Sequence, residues 1–174
     1  MRFESLSWPR DLLEQARHLA NRERQRPKQV SLRRAVSAAY YALFHLLVDE
    51  ASSFLIRGQG RTPLRQCLSR AFSHADMRAV SKGFSSGNIS NKIRPALDGQ
   101  AIPSELCNVA RMFVALQEIR HKADYDPAQS LTRQEVNNLV DRTEQAFRDW
   151  QAVRGTLQAD VFLTALLAQK HMQT

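Results

Sequence analysis

Residues 28–56 read KQVSLRRAVSAAYYALFHLLVDEASSFLI, with no glycine and no proline anywhere in the run. The stretch is too long for a strand and holds no turn residue, so it predicts one long, mostly buried helix. Pro27 stands before it, and Gly58 and Gly60 after it mark its end. At about 100° per residue its side chains separate into two arcs. Val36, Ala39, Tyr40, Leu43 and Leu47 share the apolar one. Ser37, Tyr41 and His45 follow one another at i, i+4 and i+8 on a different edge, with Arg34 close by. That edge offers hydroxyl, phenol, imidazole and guanidinium along about two turns.

Working outward, the same periodicity recurs. Ser7 and Pro9 ahead of DLLEQARHLANRER signal a first helix with Ser7 as N-cap, apolar at Leu12, Leu13, Ala16, Leu19 and Ala20, and ending near Arg26-Pro27. A third strong helix is expected over 103–125, where Leu106, Val109, Phe113, Leu116, Arg120 and Ala123 keep a three-four spacing and Asp126-Pro127 supplies the stop. Thr132-Arg-Gln-Glu135 is a capping box that opens a fourth helix, striped by Val136, Leu139, Val140, Thr143, Phe147 and Trp150. Gly155 interrupts it, and TLQADVFLTALLAQKHM (156–172) reads as a C-terminal amphipathic helix, apolar at Leu157, Val161, Phe162, Leu166 and Leu167. Residues 57–99 differ, with short helices around LRQCLSRAF and ADMRAVSKGF and a break at Pro95.

Composition agrees with an all-α chain: 21 Ala and 20 Leu stand against 10 Val, 5 Ile and 6 Thr, with only 6 Gly and 6 Pro. The length of 174 residues suits one domain, 1–174, with a core over about 8–152, a basic insert at 57–99 and the terminal helix at 156–172. Cys67 and Cys107 sit in no CxxC or Cys/His cluster, which argues against zinc, favours a reducing compartment and makes both packing residues. The start MRFESLSWPR has no apolar signal core, and no run approaches the roughly 20 apolar residues of a membrane span. A cytoplasmic protein without metal or cofactor is expected.

Two further features carry chemistry. Arg120 stands where the seam calls for an apolar side chain, so its guanidinium must be paired or face a polar cavity. Asp124 at i+4 and the Tyr41/His45 edge are the partners in reach. A closed Arg120–Asp124 pair would fix helix register, whereas an open one would leave the charge for an anion such as an RNA phosphate. The second feature is the net charge of +8, which is concentrated in 57–94. There Arg57, Arg61, Arg65, Arg70, Arg78, Lys82, Lys92 and Arg94 face a single acid, Asp76, a composition suited to salt-sensitive, sequence-tolerant phosphate binding or simply to a solvated surface. No Walker loop, Rossmann glycine fingerprint, RNP-type aromatic run or HExxH occurs.

The segments RRAVSAAYYALFHLLVDEA (33–51) and EIRHKADYDP (118–127) together resemble the HEPN (higher eukaryotes and prokaryotes nucleotide-binding) family. They match its bacterial branch, in which a Ser-x-x-Tyr-Tyr-x-x-Phe-His helix precedes an Arg-x-x-Ala-Asp-Tyr element. The resemblance implies an up-and-down bundle of four to five helices, usually a homodimer. It also implies kinship with metal-independent RNases of toxin–antitoxin and phage-defence systems, whose partner is an antitoxin or another operon-encoded protein. In those nucleases an Arg-x(4–6)-His motif acts at the dimer interface. Here the expected His positions after Arg120 hold Tyr125, Asp126 and Pro127, so Arg120 carries over and the acid or base does not.

Two functions therefore follow from the resemblance. One is a binding module for RNA, a nucleotide or a partner protein, using Ser37, Tyr41, His45, Arg120, Asp124 and Tyr125 for the ligand and the basic stretch for nucleic acid. The other is a metal-independent endoribonuclease with a variant site, in which Arg120 stabilises the phosphorane charge and His45, His121 or Tyr125 activates the ribose 2′-hydroxyl. His121 projects about 100° away from Arg120 on a helix, and Tyr125 is a poor base.

Overall fold

A computed structural model describes residues 7–172. Among them are seven α-helices, one 3₁₀ turn and no strand, so the chain is all-α. The helices are α1 (Ser7–Ala20), α2 (Gln29–Leu55), α3 (Thr62–Ser69), α4 (His74–Ser86), α5 (Ser104–Tyr125), α6 (Arg133–Val153) and α7 (Leu157–Met172), with the 3₁₀ turn at Arg94–Leu97. Residues 1–6, part of the stretch read for a signal sequence, lie outside the described residues. The chain divides into two compact units. The first takes 1–46 and 112–147, the second 47–111 and 148–174, and α2, α5 and α6 contribute residues to both.

In the first unit, the apolar positions read from the sequence are the buried ones. Val36, Ala39, Tyr40 and Leu43 of α2, Phe113, Leu116 and Ala123 of α5, and Val136, Leu139, Val140 and Thr143 of α6 are all closed to solvent. The capping box forms, with the Thr132 N–H donating to Glu135 Oε2 at 2.8 Å and the Glu135 N–H to Thr132 Oγ1 at 3.2 Å. Helix α1 stops six residues short of the expected end. Residues 22–26, RERQR, have no apolar side chain to bury, and Asn21 instead turns its amide onto the Arg17 carbonyl and Asn137. Glu23 then serves the start of α2, accepting from Ser31 Oγ at 2.8 Å and the Lys28 N–H at 3.3 Å. Gln29 binds the backbone of Leu131 through both ends of its amide, at 2.8 and 2.9 Å.

In the second unit, α7 packs on α4 within the same chain, with the Phe84 and Phe162 rings edge to face at 4.9 Å and Trp150 at 6.5 Å from Phe162. Its buried set is Ala159, Val161, Phe162, Leu163, Ala165 and Leu166, broader than the stripe expected, while Leu157 at the helix start is exposed. Gly87 ends α4 at φ 73°, a left-handed geometry that a glycine adopts without a Cβ clash. Cys107 donates its thiol to the Phe84 carbonyl, but Cys67 is exposed rather than packed. Glu50 is only 6% exposed and is held by Arg154 Nε at 2.7 Å.

Asp49, beside Glu50, has its carboxyl pushed up to about 6 by burial, with the Glu50 charge adding to the effect. The folded chain therefore holds this proton to higher pH than the unfolded chain does, and stability falls as pH rises from about 4 through about 6. His45 works in the opposite sense, since burial lowers its pKa and stability falls as the unfolded imidazole protonates. Comparing Asp49→Asn with the parent chain isolates the first effect. The variant is expected to melt higher than the parent at pH 8 and level with it at pH 4. Equal melting at both values would remove the burial cost assigned to Asp49.

Candidate functional site

The α2 edge and the last turns of α5 meet in the first unit, and Arg120 is where they join. Its guanidinium lies over two tyrosine rings, 5.0 Å from the Tyr40 centroid and 5.1 Å from Tyr41. Its Nε–H donates to Asp124 Oδ2 at 3.1 Å, and Asp124 Oδ1 accepts from Ser37 Oγ at 3.2 Å. The Arg120 and Asp124 side chains are 22% and 33% exposed, so the pair is half-sheltered at the rim of the core. Two aromatic faces and one carboxylate supply what a cation in an apolar seam requires. The Arg120–Asp124 pair is thus closed within one chain.

The electrostatics follow from that packing. Burial disfavours the charge on Arg120, but Tyr41, Asp124 and Tyr40 together outweigh it and its pKa moves up. Tyr40 is pushed above the ordinary phenol range by burial, against the opposing charge and hydrogen bond of Arg120. Its part was not apparent from the sequence, where it reads only as a core position. One side chain fills the seam and offers Arg120 a ring face at once.

His45 lies one turn beyond Tyr41, with ring centroids 6.1 Å apart, and it meets Trp8 edge to face at 6.5 Å. Trp8 is itself 57% exposed. Burial lowers the His45 pKa, so the imidazole is neutral at pH 7. His121 and Tyr125, both exposed on α5, lie with their rings tilted at 4.9 Å, and among the described residues no side-chain hydrogen bond or cation–π contact joins either to Arg120. The arginine that continues the Ser37–Tyr41–His45 stripe backward is Arg33, four residues before Ser37, whereas Arg34 is exposed. Arg33 donates to the carbonyls of Ala123, Asp126, Pro127 and Gln129 and so fixes the segment that follows Asp124.

The basic stretch, all of it in the second unit, separates into two sets. Arg65 donates to the carbonyls of Ile56 at 2.9 Å and Gly58 at 2.7 Å, closing the C-terminal end of α2. Arg94 donates to the Ile89 carbonyl, and Arg57 lies 5.5 Å over the Phe54 ring. Arg78 is half-buried on α4. Arg61, Arg70, Lys82 and Lys92 are exposed and have no carboxylate partner among the described residues. Asp76, the only acid of the stretch, faces Lys170 at 3.7 Å.

Comparison with protein-family models, curated proteins and solved structures gives no match. No described helix is long and apolar enough to cross a membrane, and no three His, Cys, Asp or Glu side chains among the described residues group as metal ligands would.

Proposed function

We propose that this chain is a non-catalytic, HEPN-like helical module that binds RNA through the exposed cations of the 57–94 stretch. The observation that carries the reading is the set Arg61, Arg70, Lys82 and Lys92, exposed and without a carboxylate partner among the described residues, while the one acid of the stretch is already opposite Lys170. Cations without in-chain partners are free to replace the counterions of a phosphodiester backbone. Arg120, by contrast, has its charge answered by Asp124 and two tyrosine faces, which suits a register-fixing role in the module's core. The homodimer, the antitoxin or operon partner and the defence setting implied by the family resemblance belong to the same proposal, as does the cytoplasmic location expected from the cysteine usage and the lack of an apolar signal core.

A metal-independent RNase is the second reading, and one observation favours it. His45 keeps a neutral imidazole at neutral pH, and it is in ring contact with the same Tyr41 that Arg120 covers. A neutral imidazole and a guanidinium are the kinds of group that 2′-hydroxyl attack uses as base and charge stabiliser, and here the two share Tyr41 as a neighbour. One assay decides between the readings: total RNA and tRNA are incubated with the protein in EDTA, beside Arg120→Ala, and the 3′ ends are read. Retarded but intact RNA is the expected result. Fragments ending in 2′,3′-cyclic phosphate that disappear in Arg120→Ala would replace the binding module with the nuclease.

A further inference from the structure

The second unit contains a cavity of about 340 Å³ between the last turns of α4, the 88–93 segment and α7. Gly83 lines it, and a Cβ there would meet the Asn88 carbonyl oxygen at 3.1 Å, so the returning chain lies close against the helix at this point. Its apolar wall includes Phe84 and Ile89, both buried. Its polar wall is made of amides, Asn88, Asn91 and Gln169, none of which has a side-chain hydrogen bond among the described residues. Lys82 and Lys92, two of the unpaired cations, are chain neighbours of the lining residues Gly83 and Asn91.

Each part answers one part of a nucleotide. A heterocyclic base presents an apolar face and an edge of mixed donors and acceptors, and an amide side chain is the group that carries both a donor and an acceptor. Asn and Gln pair with base edges for that reason. A phosphate needs cations at the rim. The volume lies at the lower end of the range for ligand pockets, enough for one nucleotide and too small for several. We propose that this cavity receives a single unstacked base of a single-stranded RNA whose phosphates lie along the Lys82 and Lys92 side. The inference rests on the RNA-binding reading above and adds to it a base-holding subsite.

The test uses the full chain and fluorescence anisotropy with two labelled polymers of equal length and charge, a short single-stranded RNA and an abasic phosphodiester spacer. The RNA is expected to bind about tenfold tighter than the spacer, in line with the usual contribution of one held base. Asn91→Ala, which removes an amide, and Ala79→Leu, which fills the cavity from α4, are each expected to reduce RNA affinity to that of the spacer. The salt dependence should stay unchanged, and circular dichroism monitors the fold. Equal binding of RNA and spacer by the parent chain overturns the subsite and leaves the RNA-binding reading intact, as does a preference for RNA that survives both variants. Failure of the RNA to bind overturns both.

Discussion

Changing Arg61, Arg70, Lys82 and Lys92 together to Glu is expected to weaken RNA binding by about 100-fold or more near 0.1 M salt, with little change in melting temperature. The four side chains are exposed and have no carboxylate partner among the described residues, so their replacement costs the fold little. Each cation that neutralises a phosphate contributes roughly 0.7 to the salt slope for a single strand, so losing all four should flatten the slope by about 3. Reversal also repels the polymer, which places the effect above simple loss of contact. Arg65→Glu is the contrasting variant. Its guanidinium closes the end of α2 through Ile56 and Gly58, so its loss should lower melting temperature more than affinity. Unchanged, salt-independent RNA binding by the fourfold variant would remove the basic stretch from the function. Equal stability of Arg65→Glu and the parent would return Arg65 to the phosphate-binding set.

What the sequence made legible was what hydrophobic spacing encodes. The long α2, the α5 seam and the α6 stripe were predicted as helices and buried faces, because a 3.6-residue period across twenty or more residues has few other solutions. Arg120 stood out for the same reason: a charge in an apolar series needs a partner, and Asp124 was one of those within reach. Partners that are backbone carbonyls leave no such mark. Arg33, Arg65 and Arg94 all donate to main-chain oxygens, whose position depends on where a loop turns and not on which residues it contains. Tyr40 was legible as core but not as a ring beneath a guanidinium, since that depends on which helix lies opposite. The cavity beside α4 is lined by residues of α4, the 88–93 segment and α7, which only the folded chain brings together, and a lone glycine within a helix does not announce it. The C-terminal stripe was read too narrowly because α7 buries more of its circumference than an amphipathic helix would.

Arg33→Met is expected to lower the melting temperature by about 10 °C, the largest stability effect of any surface-reaching arginine in the first unit. Four carbonyls, those of Ala123, Asp126, Pro127 and Gln129, accept from this one guanidinium. The acceptors cluster at the C-terminal end of α5, where helix carbonyls have no partner in the helix and where the dipole favours a cation. Pro127 prevents the helix from continuing and satisfying them itself. Water can reach some of these oxygens after substitution, so the net loss is set at roughly 3 kcal/mol, well below the sum of four charge-assisted bonds. At about 2–4 °C per kcal/mol for a chain of this size, that gives the stated shift. Lys at 33 should recover little of it, because one ammonium cannot reproduce the planar fork that spans the loop. Arg34→Met supplies the control within the same dipeptide: Arg34 is exposed, and its loss should leave melting within about 1 °C. Amide exchange gives a second readout, with Ala123 to Gln129 losing protection in Arg33→Met while the α5 core around Phe113 keeps it. Asp124 lies inside the released segment, so its bonds to Arg120 and Ser37 should loosen along with it. If Arg33→Met and Arg34→Met melt alike, the loop is held by something other than this guanidinium, and the geometry at Arg120 owes nothing to it.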